Sequence, residues 1–144
     1  TAGFAPFLAR KFDNVLVTGS FVSGQESELH HCTICGDVAI GTRDVLVDCI
    51  LASVDARNPG ARIEWCDIYA QKPVFNNQAK PGKGCFVAPP QFVDSTTLDY
   101  RLLPNSPCRG RASDGGDVGF RYTPEIVEML KVAFELRRRG IVNF

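Results

Sequence analysis

Two histidines and two cysteines cluster in the first third of the chain. They form the pattern H-H-C-x-x-C at His30, His31, Cys32 and Cys35. Imidazoles and thiolates are the preferred ligands of zinc, so the pattern resembles half of a zinc site. However, Cys32 also belongs to a series of cysteines with a constant spacing of seventeen residues. Members of such a series are expected to face the protein interior, and we therefore expect no metal here.

Two carboxylates, Asp48 and Asp67, flank later members of this cysteine series. If the repeats stack on one another, these carboxylates lie on a diagonal of roughly 8 Å, estimated from strand spacings. That value falls within the ~6.5–9.5 Å separation used by inverting glycosidases. Asp48 and Asp67 are therefore candidate catalytic residues. The alternative is a solvated face on which corner residues are selected for their backbone angles.

Aromatic residues near these carboxylates could stack against sugar rings. Trp65 and Tyr69 lie in the same repeat as Asp67, and His31 occupies the position equivalent to Trp65 two repeats earlier. We take His31, Trp65 and Tyr69 as the candidate glycan-binding residues.

Four further aspartates lie in a turn-rich region near the C-terminus. They are Asp94, Asp99, Asp114 and Asp117. Their oxygens could bind calcium. Asp-Gly pairs are turn formers first, so we expect these carboxylates mainly to accept hydrogen bonds from backbone N–H groups.

The residues around the cysteines repeat with a period of seventeen. Cys32, Cys49 and Cys66 form one column, which extends back to Val15. Large hydrophobic residues form two more columns, at Phe12, Leu29, Leu46 and Ile63, and at Val17, Ile34, Leu51 and Ile68. Small residues form a fourth, at Gly19, Gly36, Ser53 and Ala70. The residues just before the cysteine column are Asn14, His31, Asp48 and Trp65.

A seventeen-residue period is too short for helical-pair repeats, which need ~33–47 residues. It fits an all-β parallel solenoid, in which equivalent residues stack at ~4.8 Å. Asn, Asp and His tolerate left-handed backbone angles, as expected at a sharp corner, and only Trp65 departs from this logic. The sequence predicts a single domain over residues 1–144, with about four to five coils over residues 12–90.

The C-terminal third does not follow the repeat. Residues 91–122 are rich in turn formers and are predicted to cap the stack. Residues 123–140 are predicted to form an α-helix, with Thr123 as the N-cap, Pro124 in the first turn and Gly140 at the C-terminal cap. The apolar face of this helix must be buried against the solenoid or against another subunit.

The cysteines outside the predicted column are Cys35, Cys85 and Cys108. We expect free thiols throughout, because buried cysteine behaves as a small hydrophobic residue. If any disulfide forms, we expect it to include Cys85 or Cys108.

The composition excludes several functional classes. Sixteen basic residues balance sixteen acidic ones, so the net charge of zero gives no general attraction to nucleic acid. No apolar run approaches the ~20 residues needed to cross a bilayer.

The columns and the C-terminal segment together resemble a known family. The repeats LVDCILA and IEWCDIY resemble those of right-handed parallel β-helix proteins of the pectate-lyase-like group. Residues 92–120 resemble the terminal segment of secreted bacterial β-helix-repeat proteins, in which Phe-Val-Asp, Asp-Tyr-Arg-Leu, Ser-Pro-Cys and Asp-x-Gly occur in that order. The resemblance implies a secreted or cell-surface protein that interacts with polysaccharide.

Two functional hypotheses follow from this resemblance. The first is an extracellular, noncatalytic module that binds glycan, assembles with copies of itself, or does both. The second is the C-terminal part of a polysaccharide-degrading glycosidase or lyase. The lyases of the family need an acidic calcium cluster on adjacent coils, but the column containing Asp67 otherwise holds Leu16, Thr33 and Ile50, so lyase activity is disfavoured.

We expect no cofactor. We expect a homo-oligomer, because residues 1–10 make a thin cover for the first coil.

Overall fold

A computed structural model describes residues 10–69 and 75–143. The chain forms a parallel β-solenoid of about four coils, followed by a short hairpin, an irregular segment and one helix. The first sheet, on the first side of the stack, contains β1 (Lys11–Asp13), β4 (Glu28–His30), β6 (Val45–Val47) and β8 (Arg62–Glu64). The second sheet, on the second side, contains β2 (Leu16–Val17), β3 (Phe21–Val22), β5 (Thr33–Ile40), β7 (Ile50–Ala56), β9 (Asp67–Ile68) and β10 (Phe75–Asn77).

The strand registers confirm the seventeen-residue repeat. On the first side, Phe12, Leu29, Leu46 and Ile63 lie opposite one another in successive parallel strands. On the second side, Val17, Ile34, Leu51 and Ile68 do the same. Most of these side chains are fully buried and form the main core of the stack. The predicted parallel solenoid is therefore confirmed.

A column of left-handed residues turns the chain between the two sides. The backbone φ angles are 55° at Asn14, 50° at His31, 57° at Asp48 and 54° at Trp65. The first three residue types tolerate this region well, but Trp65 adopts it too. Tryptophan disfavours left-handed backbone angles, but at Trp65 the stacking of coils overrides this preference, because its N–H donates to the carbonyl of Lys83 in the next coil.

The cysteine column lies in the interior directly after this corner. Cys32, Cys49 and Cys66 are almost fully buried. The Cys49 thiol donates to the carbonyl of Val47 at 3.2 Å and faces that of Leu29 at 3.5 Å, and Cys32 and Cys66 repeat this arrangement. Buried thiols thus gain hydrogen-bond acceptors from the corner, and burial raises the pKa of Cys49 and Cys66 well above the usual range.

The assignment of Cys85 to a position outside the column is wrong. Its thiol donates to the carbonyl of Ile63 at 3.3 Å, as the other column members donate to the preceding coil. Two extra residues separate Cys85 from Cys66, so a fixed period of seventeen does not reveal the relation. All six cysteines lie in the described part of the chain, and all are free thiols.

The column of small residues is only partly regular. Gly36 packs on Gly19 so closely that a Cβ atom at Gly36 would lie 2.6 Å from the Gly19 carbonyl carbon. A register shift after Ile34 then places Ser53 opposite Asp37, because β5 contains one extra residue. Ala70, the last member of the predicted column, lies outside the described residues.

After the coils, β11 (Phe92–Asp94) and β12 (Asp99–Leu102) form an antiparallel hairpin closed by a 3₁₀ turn at Ser95–Thr97. Helix α1 (Pro124–Arg138) begins as predicted, with the Thr123 side chain accepting the N–H of Ile126. Arg139, rather than the predicted Gly140, is its C-cap; Gly140 follows in a left-handed conformation and Ile141 donates to Leu136, which is a Schellman motif. No residue of α1 is fully buried.

Replacement of Cys49 tests the interior column. An Asp at this position would bury a carboxylate among thiols and aliphatic side chains, so Cys49→Asp should lower the free energy of unfolding by several kcal/mol. Cys49→Val is the matched control, because Val15 already occupies an equivalent position, and it should cost less than about 1.5 kcal/mol. Chemical denaturation measures both. Equal stabilities for the two variants would place Cys49 outside the core.

Candidate functional site

A segment that we call the strap, residues 106–121, runs along the outer face of the second sheet. Its contacts cross all four coils. It reaches Asp67 through Cys108, Asp48 through Ser113 and Thr33 through Phe120. At the first coil, Asn14 pairs with the backbone of Arg121 through two hydrogen bonds, at 2.7 and 2.9 Å. Part of the segment predicted to cap the end of the stack therefore covers its side.

The strap has its own apolar contact with the sheet. Ile50 faces outward and packs in a second buried cluster with Cys108, Ala112 and Val118. Gly119 lies directly over Ile50 with a φ of +87°, and a Cβ atom there would lie 2.6 Å from the Ile50 side chain. Only glycine satisfies both the backbone angle and the close approach.

Asp48 is the main polar anchor of the strap. Its carboxylate accepts hydrogen bonds from the N–H and the hydroxyl of Ser113, both at 2.6 Å. Its backbone carbonyl accepts the N–H of Gly119 at 2.8 Å. The imidazole of His31 lies 3.9 Å away from the same carboxylate. Only 3% of the Asp48 side chain is exposed.

Asp67 is the second polar anchor and is fully buried. One carboxylate oxygen accepts the N–H of Ala88 at 3.0 Å, and the other accepts the thiol of Cys108 at 3.1 Å. Burial raises the pKa of Asp67 to about 6, although these two hydrogen bonds and the nearby Arg111 act in the opposite direction. Burial likewise raises the pKa of Cys108, with the neighbouring Asp67 charge acting in the same direction.

The strap changes the interpretation of the predicted catalytic pair. Both aspartates do leave the solenoid on its outer side, but neither lies on an open face, because the strap covers them. The oxygen atoms of both carboxylates already accept hydrogen bonds from the protein. In this arrangement they attach the strap to the coils.

An open cleft lies beside the strap, between the sheet and the hairpin. We call it the aromatic cleft. It has a volume of about 360 Å³ and is lined by Cys35, Tyr69, Gln91, Phe92, Ser95, Thr96 and Tyr100, with Pro90. The ring of Phe92 packs edge-to-face on Tyr69 at 6.3 Å and on Tyr100 at 5.1 Å between centroids.

Sheet geometry explains why Tyr69 and Cys35 meet in this cleft. Both residues occupy the same outward column, two coils apart, with Ala52 between them. The small side chain of Ala52 leaves room for the tyrosine to reach Cys35, whose thiol interacts with the hydroxyls of Tyr69 and Tyr100.

Burial sets the charge state of this cleft. Burial raises the pKa of Cys35 above its usual value, although the two tyrosine hydroxyls lower it. Burial also raises the pKa of Tyr69 and of Tyr100 to about 12. At neutral pH the cleft therefore presents uncharged hydroxyl, thiol and amide groups around aromatic rings.

Of the three predicted glycan-binding residues, only Tyr69 lines this cleft. The Trp65 ring is packed against Gly84, where a Cβ atom would lie 2.3 Å from the ring, and the Lys83 ammonium lies 5.4 Å from its centroid. His31 lies by Asp48, and its buried Nδ1 has no hydrogen-bond partner in the described part of the chain. The three residues are not brought together.

The residues of the H-H-C-x-x-C pattern, at which no metal was expected, are also separated. The Cys32 thiol points inward, Cys35 faces the aromatic cleft, and His30 lies 3.8 Å from Glu28. Over residues 10–69 and 75–143, no group of three or more His, Cys, Asp or Glu side chains is arranged to hold a metal ion.

The four C-terminal aspartates all accept hydrogen bonds within the protein. Asp94 accepts from Thr96, and Asp99 pairs with Arg101. Asp114 pairs with Arg121 and accepts the N–H of Gly116, while Asp117 pairs with Arg109 and accepts the N–H of Gly110. The predicted turn role therefore holds for all four aspartates, because each carboxylate accepts a backbone N–H group, that of Arg101 in the case of Asp99.

Sequence reasoning missed Phe92, Ser95, Thr96 and Tyr100 as cleft residues. The alternation of side chains along the two strands of a hairpin could have revealed the aromatic pair. In FVDSTTLDYRL, Phe92 and Tyr100 belong to paired strands and point to the same side. The composition of this stretch predicts turns, and turn formers alone do not indicate a hairpin.

No known family model matches the chain, and a search of curated proteins finds no match. What the fold and the site define is therefore a class: a parallel β-solenoid whose outer face carries a strap and an aromatic cleft.

Among the described residues, no helix has the length and apolar character needed to cross a membrane.

The pH dependence of stability tests the burial of Asp67. Its pKa is about 6 in the folded chain, against about 4 when unfolded. Folding thus favours the protonated carboxyl. The resulting contribution to the free energy of unfolding is complete below pH 4 and is lost as the pH rises through 6. Relative to Asp67→Asn, the unfolding free energy of the parent should fall by roughly 2–3 kcal/mol from pH 4 to pH 7. A difference that stays constant across this range would show that Asp67 is solvated.

Proposed function

We propose that this protein is a noncatalytic β-solenoid module that binds neutral glycan segments in the aromatic cleft. The observation that carries this proposal is the lining of the cleft: aromatic rings surrounded by uncharged hydrogen-bonding groups, with no charged side chain among its residues. The resemblance of residues 92–120 to secreted β-helix-repeat proteins supports a secreted or cell-surface location.

Carbohydrate chemistry fits this lining. One face of a sugar ring is formed largely by C–H groups, which pack on aromatic rings, while its hydroxyls need both donors and acceptors. Tyr69, Ser95, Thr96 and Gln91 supply both kinds of group. The volume lies at the lower end of the ~300–1,000 Å³ typical of ligand pockets, which suits a short glycan segment.

A polysaccharide-degrading activity has less support. The candidate pair of Asp48 and Asp67 lies beneath the strap, and both carboxylates are occupied by hydrogen bonds from Ser113, Ala88 and Cys108. A general acid must reach the glycosidic oxygen at hydrogen-bond distance. Hydrolysis at this pair would first require the strap to leave the sheet.

Self-association is a second candidate property, favoured by the surface of α1. Met129 is 70% exposed and Val132 is 60% exposed, and both lie on a helix with no fully buried residue. An apolar helix surface of this kind suits packing against a second copy of the chain.

Substitution of Tyr69 tests the proposed glycan site. Tyr69→Ala removes the aromatic wall between Cys35 and Phe92, and should lower the affinity for a neutral oligosaccharide identified by glycan array at least tenfold. Tyr69→Phe keeps the ring and loses only the hydroxyl, so its effect should be smaller. Calorimetric titration measures both variants.

The matched comparison is Trp65→Ala, which removes an aromatic ring outside the cleft lining. We expect lower stability from this variant, because Gly84 and Lys83 pack on the ring, with little change in affinity. An equal loss of affinity in both variants would extend the site to Trp65. Unchanged affinity in Tyr69→Ala would contradict the proposal.

Self-association is tested separately by Met129→Arg on α1, which places a charge on the exposed apolar surface of the helix. If the helix packs against a second copy, the parent should sediment as an oligomer at micromolar concentration and the variant as a monomer. A parent that sediments as a single monomeric species would refute self-association without affecting the proposed glycan site.

A further inference from the structure

Helix α1 carries apolar side chains on more than one face. One broad face is partly buried and holds Ile126, Val127, Leu130, Ala133 and Phe134. A second set, on another face, consists of Met129, Val132 and Leu136, and the first two of these are exposed. A helix that is apolar all round is normally covered all round. The second face of α1 is therefore expected to have a partner.

This second set belongs to a stripe along the helix, which we call the outer stripe. The outer stripe consists of Glu125, Met129, Val132, Leu136 and Arg139, at successive spacings of four, three, four and three residues. These are the spacings of the contact positions in a two-helix coiled coil. The outer stripe therefore has the geometry to pack against another helix over about 21 Å.

The two ends of the outer stripe carry opposite charges. Glu125 and Arg139 are exposed, and neither pairs with a group of opposite charge in the described part of the chain. Two neighbouring ion pairs are already formed within the helix, between Glu128 and Lys131 and between Glu135 and Arg138. One end of the stripe is thus available as an anion and the other end as a cation.

The position of Val132 makes the outer stripe complementary to itself. Val132 lies seven residues from Glu125 and seven residues from Arg139. If two stripes pack antiparallel about a two-fold axis near Val132, Glu125 of each copy lies beside Arg139 of the other. A parallel pair would instead bring like charges together at both ends, which is unfavourable. The charges therefore favour the antiparallel orientation.

We infer that α1 forms a two-fold symmetric dimer in which the outer stripes of two copies of this chain pack antiparallel. A second copy is the partner that the charges select, because it offers a cation opposite Glu125 and an anion opposite Arg139. This arrangement rests on the self-association proposed above and adds its contact surface and its orientation.

Charge reversal at the two ends of the stripe tests the orientation. Sedimentation equilibrium of the full chain at low ionic strength should show a monomer–dimer equilibrium for the parent. Glu125→Arg and Arg139→Glu should each raise the dissociation constant about tenfold, because each replaces two attractive contacts per dimer by two repulsive ones. The double variant Glu125→Arg/Arg139→Glu restores opposite charges at both contacts and should dimerise nearly as well as the parent.

The double variant separates pairing between copies from helix stability. Glu125 and Arg139 also complement the helix dipole, so each reversal lowers the stability of α1 itself. The double variant carries this loss at both ends, and only pairing between copies can restore its dimer. Arg57→Glu is the matched control, because it reverses an exposed arginine on the coils, and it should leave the dissociation constant unchanged. Circular dichroism confirms that each variant is folded.

Cross-linking gives a second measurement that keeps both charged ends. Val132→Cys should form covalent dimers with a short bismaleimide, because the two copies of this position meet near the axis. Pro124→Cys should not, because its two copies lie about 24 Å apart along an antiparallel pair. The parent, with its own six cysteines, gives the background.

The outcomes separate this dimer from the earlier proposals. A parent that remains monomeric throughout would overturn the dimer together with the proposed self-association, without affecting the proposed glycan site. A dimeric parent that tolerates both single reversals would overturn the antiparallel pairing alone. Cross-linking of Pro124→Cys as efficient as that of Val132→Cys would overturn it too, because a parallel pair brings every position next to its own copy.

Discussion

Asp48 links the coil stack to the strap, and much of the structure depends on this residue. Its backbone is left-handed and turns the corner between the two sides of a coil. Its N–H donates to Glu64 in the next coil, and its carbonyl accepts from Gly119 in the strap. Its carboxylate accepts both the N–H and the hydroxyl of Ser113. A buried carboxylate is costly unless it is hydrogen-bonded, so the strap must stay in place for the corner to remain stable.

The strap in turn positions the hairpin that forms one wall of the aromatic cleft. Because Cys108 lies on Asp67 and Val118 on Ile50, the preceding hairpin is held against the sheet at Tyr69. One face of the hairpin then presents Phe92 and Tyr100, and the other presents Val93 and Arg101. A single short hairpin thereby separates a neutral aromatic surface from one lined by arginine–aspartate pairs.

The interior of the solenoid could be predicted from sequence because one period governs it. Equivalent residues repeat every seventeen positions, so Leu29, Leu46 and Ile63 identify their own column. Cys85 could not be assigned in the same way, because two inserted residues change the period before it. The burial of Asp67 could not be predicted either, because it depends on Cys108, a contact over 41 positions with no repeat to reveal it. The aromatic cleft requires the hairpin to dock on the sheet, and no local pattern encodes that docking.

The attachment of the strap at Asp48 is tested most directly by a double-mutant cycle with Ser113, using Asp48→Ala, Ser113→Ala and the double variant. Hydrogen bonds to a buried carboxylate contribute about 1.5–3 kcal/mol, so we predict a coupling free energy of at least ~1 kcal/mol from chemical denaturation. A coupling of no more than a few tenths of a kcal/mol would mean that the two residues act independently. The strap would then not be held by the Asp48 carboxylate, which would contradict the central role of this side chain in the fold.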